Sequence, residues 1–261
     1  MPELPEVEAA SRIARRAVRG ETIAEVEVLH PAQRRSLPRR AAQALAGDRV
    51  TRVARRAKYQ VLHLASGRSL VVHFRMAGDW GVTSPGESLP RHSRVALRFT
   101  SGRALVLVDP RALCTVTVVE AGDRPLPELG PEADRPSFSA AHLGRALRDR
   151  ATAIKPLLLD QSIVAGIGNI YASEALWRAR LDPRRPGRDV QPAEVKRVVA
   201  AVHRVMREAL AHPERYYQDG EDGLRFRVYD REGQPCRRCR GPIQRITQAG
   251  RSTYWCPACQ R

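Results

Sequence analysis

The residues best equipped for chemistry stand at the two ends of the chain. The first eight are Met1-Pro2-Glu3-Leu4-Pro5-Glu6-Val7-Glu8. Removing the initiator methionine, which a small penultimate residue such as proline permits, leaves a secondary amine with a carboxylate on the next residue. An α-amino group titrates near pH ~8, whereas a lysine amine near ~10.4 needs a much larger shift before it can attack. Pro2 and Glu3 are thus a candidate nucleophile beside a candidate acid. The plainer reading is that Pro2 and Pro5 start a helix and that Glu3, Glu6 and Glu8 complement its positive end. At the other end, Cys236-x2-Cys239 and Cys256-x2-Cys259 are separated by sixteen residues. Each pair fits a tight turn that points both sulfurs at one tetrahedral ion, so the spacing predicts one Zn2+. Four thiolates fill its coordination sphere, which makes the metal structural. Two disulfides in a secreted domain would need a signal peptide, and the proline- and glutamate-rich start does not resemble one.

Charge and composition narrow the partner. The 261 residues carry 45 lysines and arginines against 28 acidic side chains, a formal charge of +17. A polyanion is the natural ligand, and the absence of an apolar run of ~18 residues argues against a membrane. We therefore expect a cytoplasmic protein that meets nucleic acid. Only Lys58, Lys155 and Lys196 are lysines. Arginine is effectively always charged, so a role that needs proton transfer must fall to a lysine. Lys196 lies on a charge-rich helix and needs no special role, whereas Lys58, in Arg55-Arg56-Ala57-Lys58-Tyr59, is a catalytic candidate. The lone Cys114, in an apolar strand, reads as core.

These groups must be positioned by something. Ala9 to Val18 has helical spacing and stops at Gly20. Short apolar runs follow at 22–28, 50–54, 59–64, 69–74, 95–99, 104–108 and 114–119, with hairpin-like breaks at Ser66-Gly67 and Ser101-Gly102. Several short strands at such intervals predict a β-sandwich. Residues 121–138 hold four prolines and two glycines, a connection rather than a packed element. Beyond it the period becomes helical at 139–150, 152–160, 170–178 and 192–212. Val195, Val198, Val199, Val202, Val205, Met206 and Leu210 there form one core stripe. Gly166-Ile167-Gly168-Asn169 precedes one of these helices, either as a packing turn or as a backbone cradle for phosphate.

The Pro-Glu-Leu-Pro-Glu-Val-Glu start, Arg-Ala-Lys-Tyr at 56–59, Gly-Ile-Gly-Asn-Ile-Tyr-Ala-Ser-Glu at 166–174 and the four-cysteine finger lie in the same order along the chain. Together they resemble the bacterial formamidopyrimidine-DNA glycosylase family, related to endonuclease VIII, with Leu4 closer to the formamidopyrimidine branch. The resemblance implies an α+β multidomain fold: a β-sandwich over 1–130 opening with a helix, a helix-two-turns-helix domain over 131–222 and a zinc-finger hairpin over 223–261. It implies a base-excision glycosylase that is also an AP lyase, acting as a monomer on double-stranded DNA with a damaged base or abasic site.

By the same resemblance, Pro2 attacks C1′, Glu3 assists opening of the sugar, Lys58 matches the lysine of β-elimination and Arg251 matches the arginine of phosphate binding and δ-elimination. A base inside a duplex must be flipped out and the hole filled. Met76 matches the family's apolar wedge, Arg111 the arginine at the orphaned base, and His92, Arg150 and Asn169 its phosphate contacts. No catalytic metal or organic cofactor is implied.

Two departures bear on the lesion. Where the family commonly reads Asp-Pro-Arg-Arg-Phe-Gly, this chain has Asp109-Pro110-Arg111-Ala112-Leu113-Cys114, with leucine in place of a stacking aromatic. The segment expected to cover a flipped 8-oxoguanine, residues 219–226, is short and acidic. We therefore expect weaker excision of 8-oxoguanine than of formamidopyrimidines, oxidised pyrimidines or abasic sites. The rival reading is a zinc-containing lesion binder on the same scaffold without turnover. It leaves the paired Pro2, Glu3, Lys58 and Arg251 unexplained, because a binder needs no free N-terminal amine.

Overall fold

The computed structural model describes residues 1–212 and 226–261, which form two compact units, Met1–Pro127 and Glu128–Arg261. The first unit begins with helix α1 (Leu4–Val18). Glu3 and Glu6 cap it reciprocally, the Glu3 N–H donating to Glu6 Oε2 at 2.8 Å. That capping box starts the helix ahead of the expected Ala9, because it satisfies N–H groups the first turn would otherwise leave open. Leu4, Val7, Ala10, Ala14 and Val18 form its buried face.

Eight strands follow: β1 (Ile23–Val28), β2 (Val50–Arg56), β3 (Tyr59–Leu64), β4 (Ser69–His73), β5 (Asp79–Thr83), β6 (Ser93–Phe99), β7 (Ala104–Val108) and β8 (Thr115–Val119). They pair antiparallel in two four-stranded sheets, β1-β6-β7-β5 and β2-β3-β4-β8. Val53, Leu62, Leu70 and Val72 of one sheet share a core with Val26, Val95, Leu97, Leu105 and Leu107 of the other, and α1 adds Val7, Ala10 and Ala14. The Trp80 indole N–H donates to Gln60 Oε1 at 2.7 Å, a buried bond from one sheet to the other. The sandwich predicted from the short apolar runs is therefore present. Cys114 is buried as expected but lies one residue ahead of β8. Strand β5 and the short helix α2 (Arg39–Gln43) had no counterpart in the sequence pattern.

Strand register places the loops. Arg56 pairs with Tyr59, Tyr59 with His73, and His73 with Thr115. In the other sheet Asp79 and Ser93 both pair with Val108. The β2–β3 turn (57–58), the β4–β5 loop (74–78), the segment entering β6 and the β7–β8 loop (109–114) thus emerge at the same ends of their sheets.

The second unit holds α3 (Ala140–Leu147), α4 (Ile154–Leu159), α5 (Asn169–Ala179), α6 (Pro192–Ala211) and the hairpin β9 (Gln244–Gln248) and β10 (Arg251–Trp255). The α6 stripe is buried at Val195, Val198, Val199, Val202, Val205 and Met206, packed on α3 and α5. The finger belongs to this unit through a cluster of Trp177, Val228, Cys236, Ile243 and Cys256. No helix among the described residues is long and apolar enough to cross a membrane.

Candidate active site

In the first unit, Pro2 and Glu3 are buried at the start of α1, with Glu3 only 1 % exposed. Lys58, also buried, sits in the β2–β3 turn, where Ala57 takes the left-handed conformation at φ +53°. An alanine there is strained, and the turn is fixed from outside itself. Arg55 Nε donates to Glu8 Oε2 at 2.9 Å, and its Nη1 to the Ala57 carbonyl at 3.2 Å. The Arg55 guanidinium thus ties the first turns of α1 to the turn carrying Lys58, and α1 packs on both β2 and β3.

The predicted DNA-contacting residues of this unit lie on the loops at the same ends of the sheets. Met76 is 40 % exposed on the β4–β5 loop, Arg111 is exposed on the β7–β8 loop, and His92, at φ +67°, accepts the Asp109 N–H at its carbonyl just before β6. Leu113, on the same loop as Arg111, is 46 % exposed. His73, beneath the Met76 loop, is held down to about 4 by burial first and then by the Arg75 and Lys58 charges. It is neutral at pH 7, and its Nδ1 accepts the Arg75 N–H at 3.0 Å.

In the second unit, Asn169 opens α5 behind Gly166, which takes φ +97°. Its Oδ1 accepts from Lys155 Nζ at 2.6 Å, and its Nδ2 donates to the Ser252 carbonyl at 2.9 Å. Lys155 Nζ also donates to that carbonyl at 3.0 Å and to Thr253 Oγ1 at 2.7 Å. Arg251, exposed on the hairpin next to Ser252, is therefore held beside Asn169. Arg150 is exposed on the turn ahead of α4, where its carbonyl accepts the Arg188 N–H. Sequence reasoning singled out Lys155 by its rarity but gave it no role, since its hairpin partners are far along the chain. It also missed Glu174, whose buried carboxylate accepts the N–H groups of Arg227, Val228 and Tyr229 at 2.9–3.0 Å. Of the segment expected to cover the lesion, residues 219–226, all but Phe226 lie outside the described residues.

The four cysteine sulfurs lie within 4.8 Å of one another, with Cys236 to Cys259 at 4.0 Å and Cys239 to Cys256 at 3.4 Å. A zinc tetrahedron with Zn–S near ~2.3 Å needs sulfurs about 3.8 Å apart, so the donors fit one structural Zn2+. The Trp177 indole N–H donates to Cys236 Sγ at 3.4 Å, and the Arg238 guanidinium stacks on the same indole at 4.2 Å.

Comparison with known proteins matches three segments of the chain. Residues 1–116 match the formamidopyrimidine-DNA glycosylase N-terminal domain, 129–218 its H2TH domain, and 233–261 the zinc finger found in FPG and IleRS. A formamidopyrimidine-DNA glycosylase of Novosphingobium aromaticivorans is 42 % identical over 273 residues, covering all of both chains. One of Chloroflexus aurantiacus is 40 % identical over all of this chain and 98 % of its own. Among solved structures, a Lactococcus lactis FPG mutant in complex with Fapy-dG-containing DNA superposes with a TM-score of 0.91 at 28 % identity over the full length of both chains. The same organism's enzyme bound non-covalently to AP-site DNA gives 0.89 over 99 % of each. From its capped N-terminus to its thiolate cluster, this chain belongs to the formamidopyrimidine-DNA glycosylase family.

Proposed function

We propose that this base-excision DNA glycosylase and AP lyase works through the amine of Pro2, freed by loss of Met1. The amine attacks C1′ of the damaged nucleotide. The glycosidic bond breaks with its electron pair leaving on the base, and opening of the sugar, assisted by a proton from Glu3, leaves a Schiff base. Loss of a 2′ proton then expels the 3′ phosphate, the step given to Lys58. Arg251 grips phosphate and serves the second elimination. Asn169, His92 and Arg150 hold the backbone, while Met76 and Arg111 fill the gap left by the flipped nucleotide. The zinc orders the finger and takes no part in the chemistry.

The observation that carries this reading is the Arg55 bridge, which holds the first turns of α1, through Glu8, to the turn of Lys58. Incubating the Met-processed protein with a duplex containing one abasic site and borohydride should trap a covalent adduct that maps to Pro2. Intact binding without an adduct, with Met1 shown to be absent, would replace the enzyme reading with a non-catalytic lesion binder. The protein acts as a monomer in the bacterial cytoplasm, at the nucleoid. Formamidopyrimidines are preferred to 8-oxoguanine, because Leu113 presents no aromatic face to stack and the sequence at 219–226, expected to cover a flipped 8-oxoguanine, is short and acidic. Equal turnover of the two lesions in one competition assay would sink that preference.

A further inference from the structure

The β7–β8 loop carries Arg111 and Leu113 outward, yet little in it is free to move. Asp109, fully buried, accepts the Arg111 N–H on Oδ1 at 2.9 Å and the N–H groups of Leu113 and Cys114 on Oδ2 at 2.7 and 2.8 Å. The Asp109 N–H goes to the His92 carbonyl at 3.0 Å and the Ala112 N–H to the Asp109 carbonyl at 3.1 Å. Every backbone N–H from Asp109 to Cys114 is thereby engaged, Pro110 having none. From β6, Arg94 clamps the carbonyls, its Nε donating to Asp109 at 2.5 Å and an Nη to Pro110 at 3.2 Å. Gln33 Nε2 reaches the Ala112 carbonyl at 3.4 Å, and Ala112 is held at φ +52°, a conformation an alanine keeps only under such constraint.

A side chain that enters a base stack must hold its place against the bases it separates. A loose loop would lose on binding the conformational freedom that this loop has already given up on folding. The geometry points to Asp109, supported by Arg94, as the positioning residue that pre-sets Arg111 and Leu113 for insertion at the vacated base step. This inference rests on the reading of that loop as part of the gap-filling surface. Asp109 touches no substrate. It acts through the backbone of the residues that do.

Asparagine is nearly isosteric but offers one acceptor oxygen instead of two, so in either orientation its NH2 faces N–H donors of the loop. The informative readout is a ratio of two substrates. Incision of an abasic site in a duplex needs the gap filled, whereas incision of the same site in a single-stranded oligonucleotide does not. Asp109→Asn is expected to lower duplex incision by roughly tenfold or more while single-strand incision stays within about twofold of wild type. Arg94→Met, which keeps the aliphatic stem and removes the carbonyl clamp, should move the ratio the same way by less, and it keeps the test open if Asp109→Asn fails to fold.

Arg111→Ala and Leu113→Ala are measured alongside. If they lower the ratio while folded Asp109→Asn and Arg94→Met match wild type, the positioning role is wrong and the reading of the loop survives. If Arg111→Ala and Leu113→Ala leave the ratio unchanged, the loop reading fails and this inference with it. Equal loss on both substrates in the Asp109 variant would mark general damage to the fold and would also overturn the proposal.

Discussion

Lys155 Nζ lies 2.6 Å from Asn169 Oδ1 and is only 1 % exposed. Two further bonds, to the Ser252 carbonyl and Thr253 Oγ1, cross from α4 to the finger hairpin. A buried ammonium is costly unless its donors are satisfied, and here each of three donors has an acceptor. Lys155→Met should strand those acceptors and cost about 2–4 kcal/mol in urea unfolding. The more specific consequence falls on Arg251. With its neighbour's carbonyl released, the second elimination should slow relative to the first, so products retaining a sugar remnant should accumulate on a sequencing gel. An unchanged product ratio in a folded variant would show that Lys155 serves stability alone.

How much of this was legible in the sequence depended on whether the signal was local. Strands β3 and β7 were readable to the residue, because Tyr59–Leu64, apolar but for Gln60 and His63, and the wholly apolar Ala104–Val108 are short runs set between turns. Strand β5 was not, because Asp79 and Gly81 dilute Trp80 and Val82. Helix α2, Arg39–Gln43, is five residues of arginine, alanine and glutamine with no apolar period. The paired cysteines and the opening prolines stood out by chemical type. Lys155 stood out only by rarity, since its hairpin partners lie 97 and 98 residues away. The service of Asp109 is rendered to backbone N–H groups, which no side-chain motif advertises.

The Glu8–Arg55 pair should matter to the reaction more than to binding. Arg55 is nearly buried, with its side chain 5 % exposed, and Glu8 is 18 % exposed, so the pair is less screened than a surface ion pair. Glu8→Gln weakens the tie between the first turns of α1 and the β2–β3 turn. We expect the rate of borohydride trapping on abasic duplex to fall about tenfold, equivalent to about 1.4 kcal/mol, with affinity for DNA nearly unchanged. Equal losses in trapping rate and affinity would argue that the pair has no particular role near Pro2.

Acid should loosen the Met76 loop through His73. Burial, reinforced by Arg75 and Lys58, holds its imidazole at about 4, against 6.5 when exposed. Between those values the unfolded chain binds a proton that the folded one refuses, so stability rises with pH across this window. The contribution is fully present above pH 6.5 and is lost as pH falls toward 4, amounting to roughly 3 kcal/mol at the acid end. Protonation of Nδ1 also removes the acceptor of the Arg75 N–H. Urea midpoints of the wild type and of His73→Phe should converge as pH is lowered through this range. Parallel pH profiles for the two proteins would remove His73 as the cause.

Zinc retention should depend on a residue outside the cysteine quartet. The Trp177 indole N–H reaches Cys236 Sγ at 3.4 Å from α5, so the helix that begins at Asn169 also supplies a hydrogen bond to a zinc thiolate. Such outer contacts spread the charge of the thiolate and fix its direction, and their loss commonly costs 10–100-fold in metal affinity. Trp177→Phe keeps an aromatic ring for the Arg238 guanidinium to stack on but has no N–H. Zinc release to a metallochromic chelator should therefore be about tenfold faster in the variant than in the wild type. Stripping the metal from either protein should abolish DNA binding through loss of the finger hairpin, while circular dichroism of the strands in the first unit persists, because their core draws on no residue of the finger. Identical release rates in the two proteins would show that the indole only packs against the finger.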